Sequence, residues 1–201
     1  MKKALLTTIL GLTVAAASVQ AQSYVLLYNY GAPSGSITYG TSGVGVTGEY
    51  TVGVYYAVGN IAASVNTAIG GATTGVNGNA GSLTGSGLTL GTGSGSTAPL
   101  GWDIPGEYDT GVSFNVDPSA HVNQTVTLVL VAYNGESYES SLVRGHSAAF
   151  TMPALAAPQI PMHTGNYSGT FAVVTTPEPS TFALVGIGVV SLLIFRTRSE
   201  G

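Results

Sequence analysis

From Gln22 to Thr176 the apolar side chains recur with a period of two, the spacing of a pleated strand. Tyr24, Leu26, Tyr28 and Tyr30 share one face of the first segment. Tyr50–Ala57 places Val52, Val54 and Tyr56 together, and Gly111–Val116 turns Val112, Phe114 and Val116 inward against Ser113 and Asn115. Thr125–Tyr133 (TVTLVLVAY) is apolar on both faces, which predicts a central strand covered on each side. Shorter strands are expected at Ser36–Tyr39, Ala148–Met152 and Thr170–Val174, and Asn60–Ile69 is the one stretch with a helical pattern. Residues 70–99 form a Gly/Ser/Thr-rich loop in which Leu83, Leu88 and Leu90 pin a short strand. Gly, Asn and Pro punctuate these runs, and no fixed-period repeat is present. The prediction is an all-β chain: a single antiparallel β-sandwich, with a jelly roll as one form of it.

The pattern changes at both ends. MKKALLTTILGLTVAAASVQAQ has a basic start at Lys2 and Lys3, an apolar stretch from Ala4 to Ala17, and small residues at Val19 and Ala21. This is the order of a secretory signal peptide, residues 1–21, cut after Ala21 by signal peptidase. A buried N-terminal helix is the competing reading, and lysines at the very start fit it less well. Near the other end, Phe182–Phe195 has Ser191 as its one polar residue. As a helix those fourteen residues cover about 21 Å, and counting from Pro179 gives roughly 26 Å, close to a ~30 Å hydrocarbon core. A transmembrane helix over about residues 180–195 is therefore expected, with Arg196 and Arg198 on the cytoplasmic side and the body outside. Pro177 and Pro179 break any helix upstream and hold Glu178 in an extended stretch. The chain then divides into 1–21, a β domain over 22–176, and a tail over 177–201.

Pro177-Glu178-Pro179-Ser180-Thr181, an apolar run and Arg196-Thr197-Arg198 resemble the PEP-CTERM sorting signal. The resemblance implies recognition by an exosortase-type membrane enzyme, cleavage near the Pro-Glu-Pro, and transfer of the body to the cell surface or an exopolysaccharide matrix. It makes Glu178 a residue of a substrate. A plain C-terminal anchor is the alternative, but it needs no Pro-Glu-Pro. The body, through YNY, ITYG, YTVGVYYAVG, TVTLVLVAYNGESYESS and VRGHSAAFTM, is similar to verrucomicrobial PEP-CTERM proteins without assigned activity, which supports one β domain and adds no chemistry.

Composition narrows the partners. Charged residues make up 7% of the chain, against roughly 25% in an ordinary soluble domain, while apolar residues make up 44%. Disorder goes with the opposite balance. Between the ends, Arg144 is the sole Lys or Arg, facing Glu49, Asp103, Glu107, Asp109, Asp117, Glu136 and Glu139. One arginine cannot neutralise a run of phosphates, so nucleic acid is not an expected partner. Without cysteine there are no disulfides and no thiolate metal sites.

Motifs for chemistry are sparse. His121, His146 and His163 lie far apart with no metal-ligand spacing, so no metal or cofactor is expected. Gly145-His146-Ser147-Ala148-Ala149 departs from G-x-S-x-G at its last position. Gly43-Val44-Gly45-Val46-Thr47-Gly48 matches G-x-G-x-x-G, yet a strand follows it, with Glu49 beside it, so it reads as a turn. The densest cluster is the loop holding Trp102, Asp103, Glu107, Tyr108 and Asp109. Carboxylates beside aromatics can hold a sugar or Ca²⁺, although the spacing fits no calcium loop, and a solvated turn is the plain alternative. Thr125-Val126-Thr127 alone has the Thr-x-Thr spacing of an ice-binding face. The expectation is a non-enzymatic, glycan-associated surface protein. The alternatives are a small secreted hydrolase using Asp103, Glu107 or His146, whose test is a pocket joining two of them, and a self-associating structural protein.

Overall fold

The structure is a computed structural model that describes residues 23–31, 35–70, 79–101, 103–117, 124–156 and 163–176. Among the described residues the strands are β1 (Ser23–Val25), β2 (Ile37–Tyr39), β3 (Tyr50–Val58), β4 (Thr89–Leu90), β5 (Thr97–Leu100), β6 (Phe114–Asp117), β7 (Thr125–Tyr133), β8 (Val143–His146), β9 (Phe150–Pro153), β10 (Leu155–Ala156) and β11 (Phe171–Thr175), with one α-helix, α1 (Ala62–Ala68). The small sheet has the order β10-β1-β6. The large sheet runs β2-β11-β8-β7-β3-β4, with β9 sharing β7's flank with β8 and β5 sharing β3's flank with β4. The chain steps from the large sheet to the small one between β9 and β10, across the single buried residue Ala154.

β7 organises the core. It pairs antiparallel with β3 from Thr51↔Tyr133 to Val58↔Val126. Alternation sends Val126, Leu128, Leu130 and Ala132 to a cluster shared with Val25 and Leu27 of the first segment and with Phe114 and Val116 of β6. Val129 and Val131 point the other way, onto Val65 and Ile69 at α1, Leu83 and Tyr138. Both faces are covered, which is why a run with no polar alternation can be a strand here. Thr127 also lies on the second face, fully buried. Its hydroxyl donates to Gly59 O at 2.7 Å and accepts Ile61 N–H at 2.9 Å, tying the start of α1 to the sheet.

The all-β expectation holds, and each strand expected from the pattern has a counterpart. One amendment concerns direction: β11 pairs parallel with β2, so the large sheet is mixed. The eight-and-three division of strands also differs from the two Greek keys of an eight-stranded jelly roll. The helical stretch is α1, shorter than Asn60–Ile69. Val112, expected inward, is 49% exposed, because the strand starts only at Phe114. β5, β8 and β10 went unpredicted. β5 contains Pro99, tolerated because its ladder partner is Thr51 of β3 and the strand's other side carries only the isolated bridge of Leu100 with Tyr108. The signal peptide, the apolar run at 180–195, and Ala21, Trp102, His121, Pro177, Glu178, Pro179, Ser180, Thr181, Arg196 and Arg198 lie outside the described residues. Among the described residues no helix is long and apolar enough to cross a membrane.

Candidate functional site

Asn29 explains how the 101–111 loop is held. It follows Leu27 on the buried side of the first segment and is itself fully buried. Its backbone N–H donates to Tyr108 O at 3.1 Å, and its Oδ1 accepts Tyr108 N–H at 2.6 Å. Its Nδ2 donates to Gly35 O at 2.8 Å and Gly106 O at 3.1 Å. One amide thus extends the antiparallel bridge of Tyr28 with Asp109, in which Thr110 N–H also donates to Leu27 O at 3.1 Å, and satisfies groups that would otherwise be orphaned. Gly106 is fixed from a second side: its N–H donates to Val46 O at 2.8 Å, and its carbonyl accepts Ile37 N–H at 3.0 Å. The glycine-rich run at 43–48 is therefore a turn that supports this loop. A Cβ on Gly45 would stand 2.4 Å from Pro105 O, so the two backbones meet only because no side chain intervenes.

On this frame Tyr30, Pro99, Asp103, Ile104, Glu107, Tyr108 and Asp109 line a cavity of about 390 Å³. That is toward the small end of the ~300–1,000 Å³ usual for small-ligand sites. Tyr30 and Ile104 are 48% and 41% exposed and give it an apolar mouth. Glu107 Oε1 accepts Gly31 N–H at 3.4 Å, while its Oε2 is shielded from solvent without a hydrogen-bond partner. Asp109 Oδ1 accepts Gly111 N–H at 2.7 Å. Burial pushes the Tyr108 phenol up to about 12, against the opposing pull of the Thr164 and Ser168 hydroxyls; its OH lies 3.1 Å from Thr164 Oγ1. It is a neutral structural group. Outside the mouth, Tyr28 meets Tyr30 at 6.3 Å and His163 at 4.4 Å between ring centroids, so an aromatic strip runs up to the cavity.

The structure thus brings Asp103, Glu107, Tyr108 and Asp109 together. Sequence reasoning missed Asn29, Tyr30 and Pro99 as parts of the site, and gave Ile104, inside the loop, no role of its own. Tyr30 carried a faint signal as the end of the tyrosine row, whereas no spacing linked it to residues seventy positions on. Among the described residues no three of His, Asp and Glu are placed to hold a metal ion. Thr127, buried and hydrogen-bonded, cannot pair with Thr125 in an ice-facing array.

His146 belongs elsewhere. It is 2% exposed on β8, with its ring 6.2 Å from Tyr138, and does not reach the cavity. Nδ1 lies 2.7 Å from Ser147 O, a pure acceptor, so Nδ1 carries the proton and the unpartnered Nε2 is a lone pair. Arg144 and Glu139 are its charged neighbours. They pair with each other at 3.5 Å, and Arg144 caps the Tyr138 ring at 4.9 Å. Burial holds the His146 pKa below its usual value, with the Ser147 bond opposing and Arg144 adding to the fall. An unfolded chain then takes up this proton more readily than the folded one. Stability is full above about pH 6.5 and falls as the pH drops below it, by at most ~1.4 kcal/mol per pH unit from this one group. Urea midpoints measured down to acid should show the fall, and His146→Asn, which keeps a donor near Nδ1, should flatten it.

Residues 175–199 match the family described as the PEP-CTERM protein-sorting motif. The motif marks an exported chain that is processed by exosortase, a membrane enzyme, and is membrane-anchored before cleavage. No curated protein matches the chain, and no solved structure does. The motif begins at Thr175, the residue that closes β11.

Proposed function

We propose that this exosortase-sorted chain, after removal of its leader by signal peptidase, serves as a non-enzymatic protein of the cell surface or exopolysaccharide matrix whose β domain holds glycan. The observation that carries the reading is the cavity under the 101–111 loop, where the exposed Tyr30 ring stands beside Asp103, Glu107 and Asp109. Sugars present an apolar face for an aromatic ring and hydroxyls for carboxylates, and this cavity offers both. The His163–Tyr28–Tyr30 strip extends the contact beyond one sugar ring, as a polymer requires. A low-charge surface rich in hydroxyls and amides suits a hydrated polysaccharide phase.

Retention of the full-length chain, purified in mild detergent, on immobilised envelope polysaccharide is the direct test. Tyr30→Ala should weaken retention about tenfold, the loss of ~1.4 kcal/mol expected for one stacking ring, while leaving the melting temperature unchanged. Absence of retention on any glycan refutes the proposal. A second reading, a small glycoside hydrolase, draws on one fact: Asp103 and Glu107 line the same cavity. His146 does not join them. Release of sugar from oligosaccharides, abolished by Glu107→Gln, would favour it instead.

A further inference from the structure

We propose that, while the precursor is anchored, the end of the large sheet from which β11 leaves rests on the bilayer, with Val44 and Leu142 at the level of zwitterionic phospholipid headgroups. The proposal is independent of the glycan-holding reading. The sorting motif implies a membrane anchor before cleavage, and it begins at Thr175, so the tether leaves the body without slack. Thr176 is fastened to the sheet: its N–H donates to Leu142 O at 2.7 Å and its hydroxyl to the same oxygen at 2.9 Å. From Thr176 to Phe182, where the apolar run starts, the chain reaches about 20 Å when fully extended. A domain of this size is about 40 Å across. The Thr176 end is therefore the end held near the bilayer.

Strand register shows what else lies at that end. The row Val174, Arg144, Tyr133 and Thr51 crosses β11, β8, β7 and β3. Beyond it stand Thr176, Tyr50, the 134–142 turn and the turn after Tyr39, which lies against β11. Each turn carries an exposed large apolar side chain, Leu142 at 50% and Val44 at 60%, the two highest values of that kind among the described residues. Scattered apolar residues are ordinary on a surface, but here the tether brings both of them to lipid. Tyr39, Tyr50 and Tyr133 are half-buried at the same end, the first two edge to face at 5.8 Å between centroids. A tyrosine packed on one side and wet on the other suits a membrane interface. Glu49 and Glu136 are exposed nearby, and Arg144, the one Lys or Arg described, is paired with Glu139 at 3.5 Å. No cation is free to draw anionic lipid, so the contact is apolar insertion among zwitterionic headgroups.

The chain has no cysteine, so single labels can be placed without other changes. The full-length chain should be reconstituted in nanodiscs of phosphatidylcholine and phosphatidylethanolamine with an environment-sensitive fluorophore at Val44→Cys or Leu142→Cys. Leu90→Cys on β4 and Asn60→Cys, past the opposite end of β3, serve as references. Lipid carrying a headgroup nitroxide should quench the labels at 44 and 142 at least about threefold more than those at 60 and 90, the contrast expected when one end alone reaches headgroup level. Equal quenching at all four positions, or none at 44 and 142, overturns the proposal. A label at 142 that is blue-shifted but unquenched also overturns it, and assigns the face to a second copy of the chain. Unchanged melting temperatures show that the variants fold. If one does not, photolabelling of the unsubstituted chain by phosphatidylcholine with a diazirine near its headgroup decides. Adducts within 40–46 and 134–142 support the proposal, whereas adducts only on peptides holding Asn60 or Leu90, or no adducts on the body, overturn it.

Discussion

Replacing Asn29 with alanine should cost about 3 kcal/mol and disorder the cavity. The substitution deletes three side-chain hydrogen bonds: one accepted from Tyr108 N–H and two donated, to Gly35 O and Gly106 O. Their loss is unequal. Gly106 O keeps Ile37 N–H as a partner. Tyr108 N–H, on a residue that is itself buried, is left without one, and an orphaned buried donor costs roughly 1–3 kcal/mol against about 1 for a hydrogen bond deleted cleanly. In a chain of this size ~3 kcal/mol lowers the melting temperature by roughly 10 °C. Calorimetry checks the stability, and protease nicking between residues 101 and 111 checks the loop. A variant that melts within a degree or two of wild type would show that the loop is held by its other contacts. Asn29→Asp should not rescue: it keeps the acceptor for Tyr108 but presents carboxylate oxygen to two carbonyls.

Gly106→Ala should be nearly as damaging, and Gly111→Ala should not. Both glycines have positive φ, 82° and 63°, which costs an L-residue about 1–2 kcal/mol. Only Gly106 is also crowded: a Cβ there would sit 2.6 Å from Ile37 O and 3.3 Å from the Cα of Gly45, whereas at Gly111 nothing lies within 4 Å. The backbone of β2 would have to retreat, breaking the Ile37–Gly106 hydrogen bond and opening the cavity floor. The expected losses are about 3 kcal/mol at Gly106 and about 1 at Gly111, read as shifts in urea midpoint. Equal losses at the two sites would mean that backbone conformation alone, and not contact with β2, sets the requirement for glycine.

How far the fold was legible depends on where each strand gets its partners. β7 announces itself because both of its faces are buried and its nine residues are uninterrupted. β8 is hidden: Val143-Arg144-Gly145-His146 mixes a guanidinium, a glycine and an imidazole, and its character comes from pairing with β7 and β11. The parallel pairing of β2 with β11 joins residues 37–39 to 171–173, a separation at which local pattern says nothing. The candidate site divides in the same way. Asp103 to Asp109 stand close in sequence and were visible as a cluster. Tyr30 joins them through the backbone bridge of Tyr28 with Asp109 and through Asn29, which in sequence looks like a turn residue after a strand and in the structure is a buried clamp. His146 looked available for chemistry by residue type, and burial on β8 removed it.

The position of β11 bears on what happens when the sorting segment is cut away. It is an inner strand, bonded to β2 on one side and β8 on the other, and Thr176 N–H continues the clasp with a 2.7 Å bond to Leu142 O. Excision of everything past Thr176 leaves every described strand of both sheets in place, so the address label can be trimmed without unstitching the described parcel.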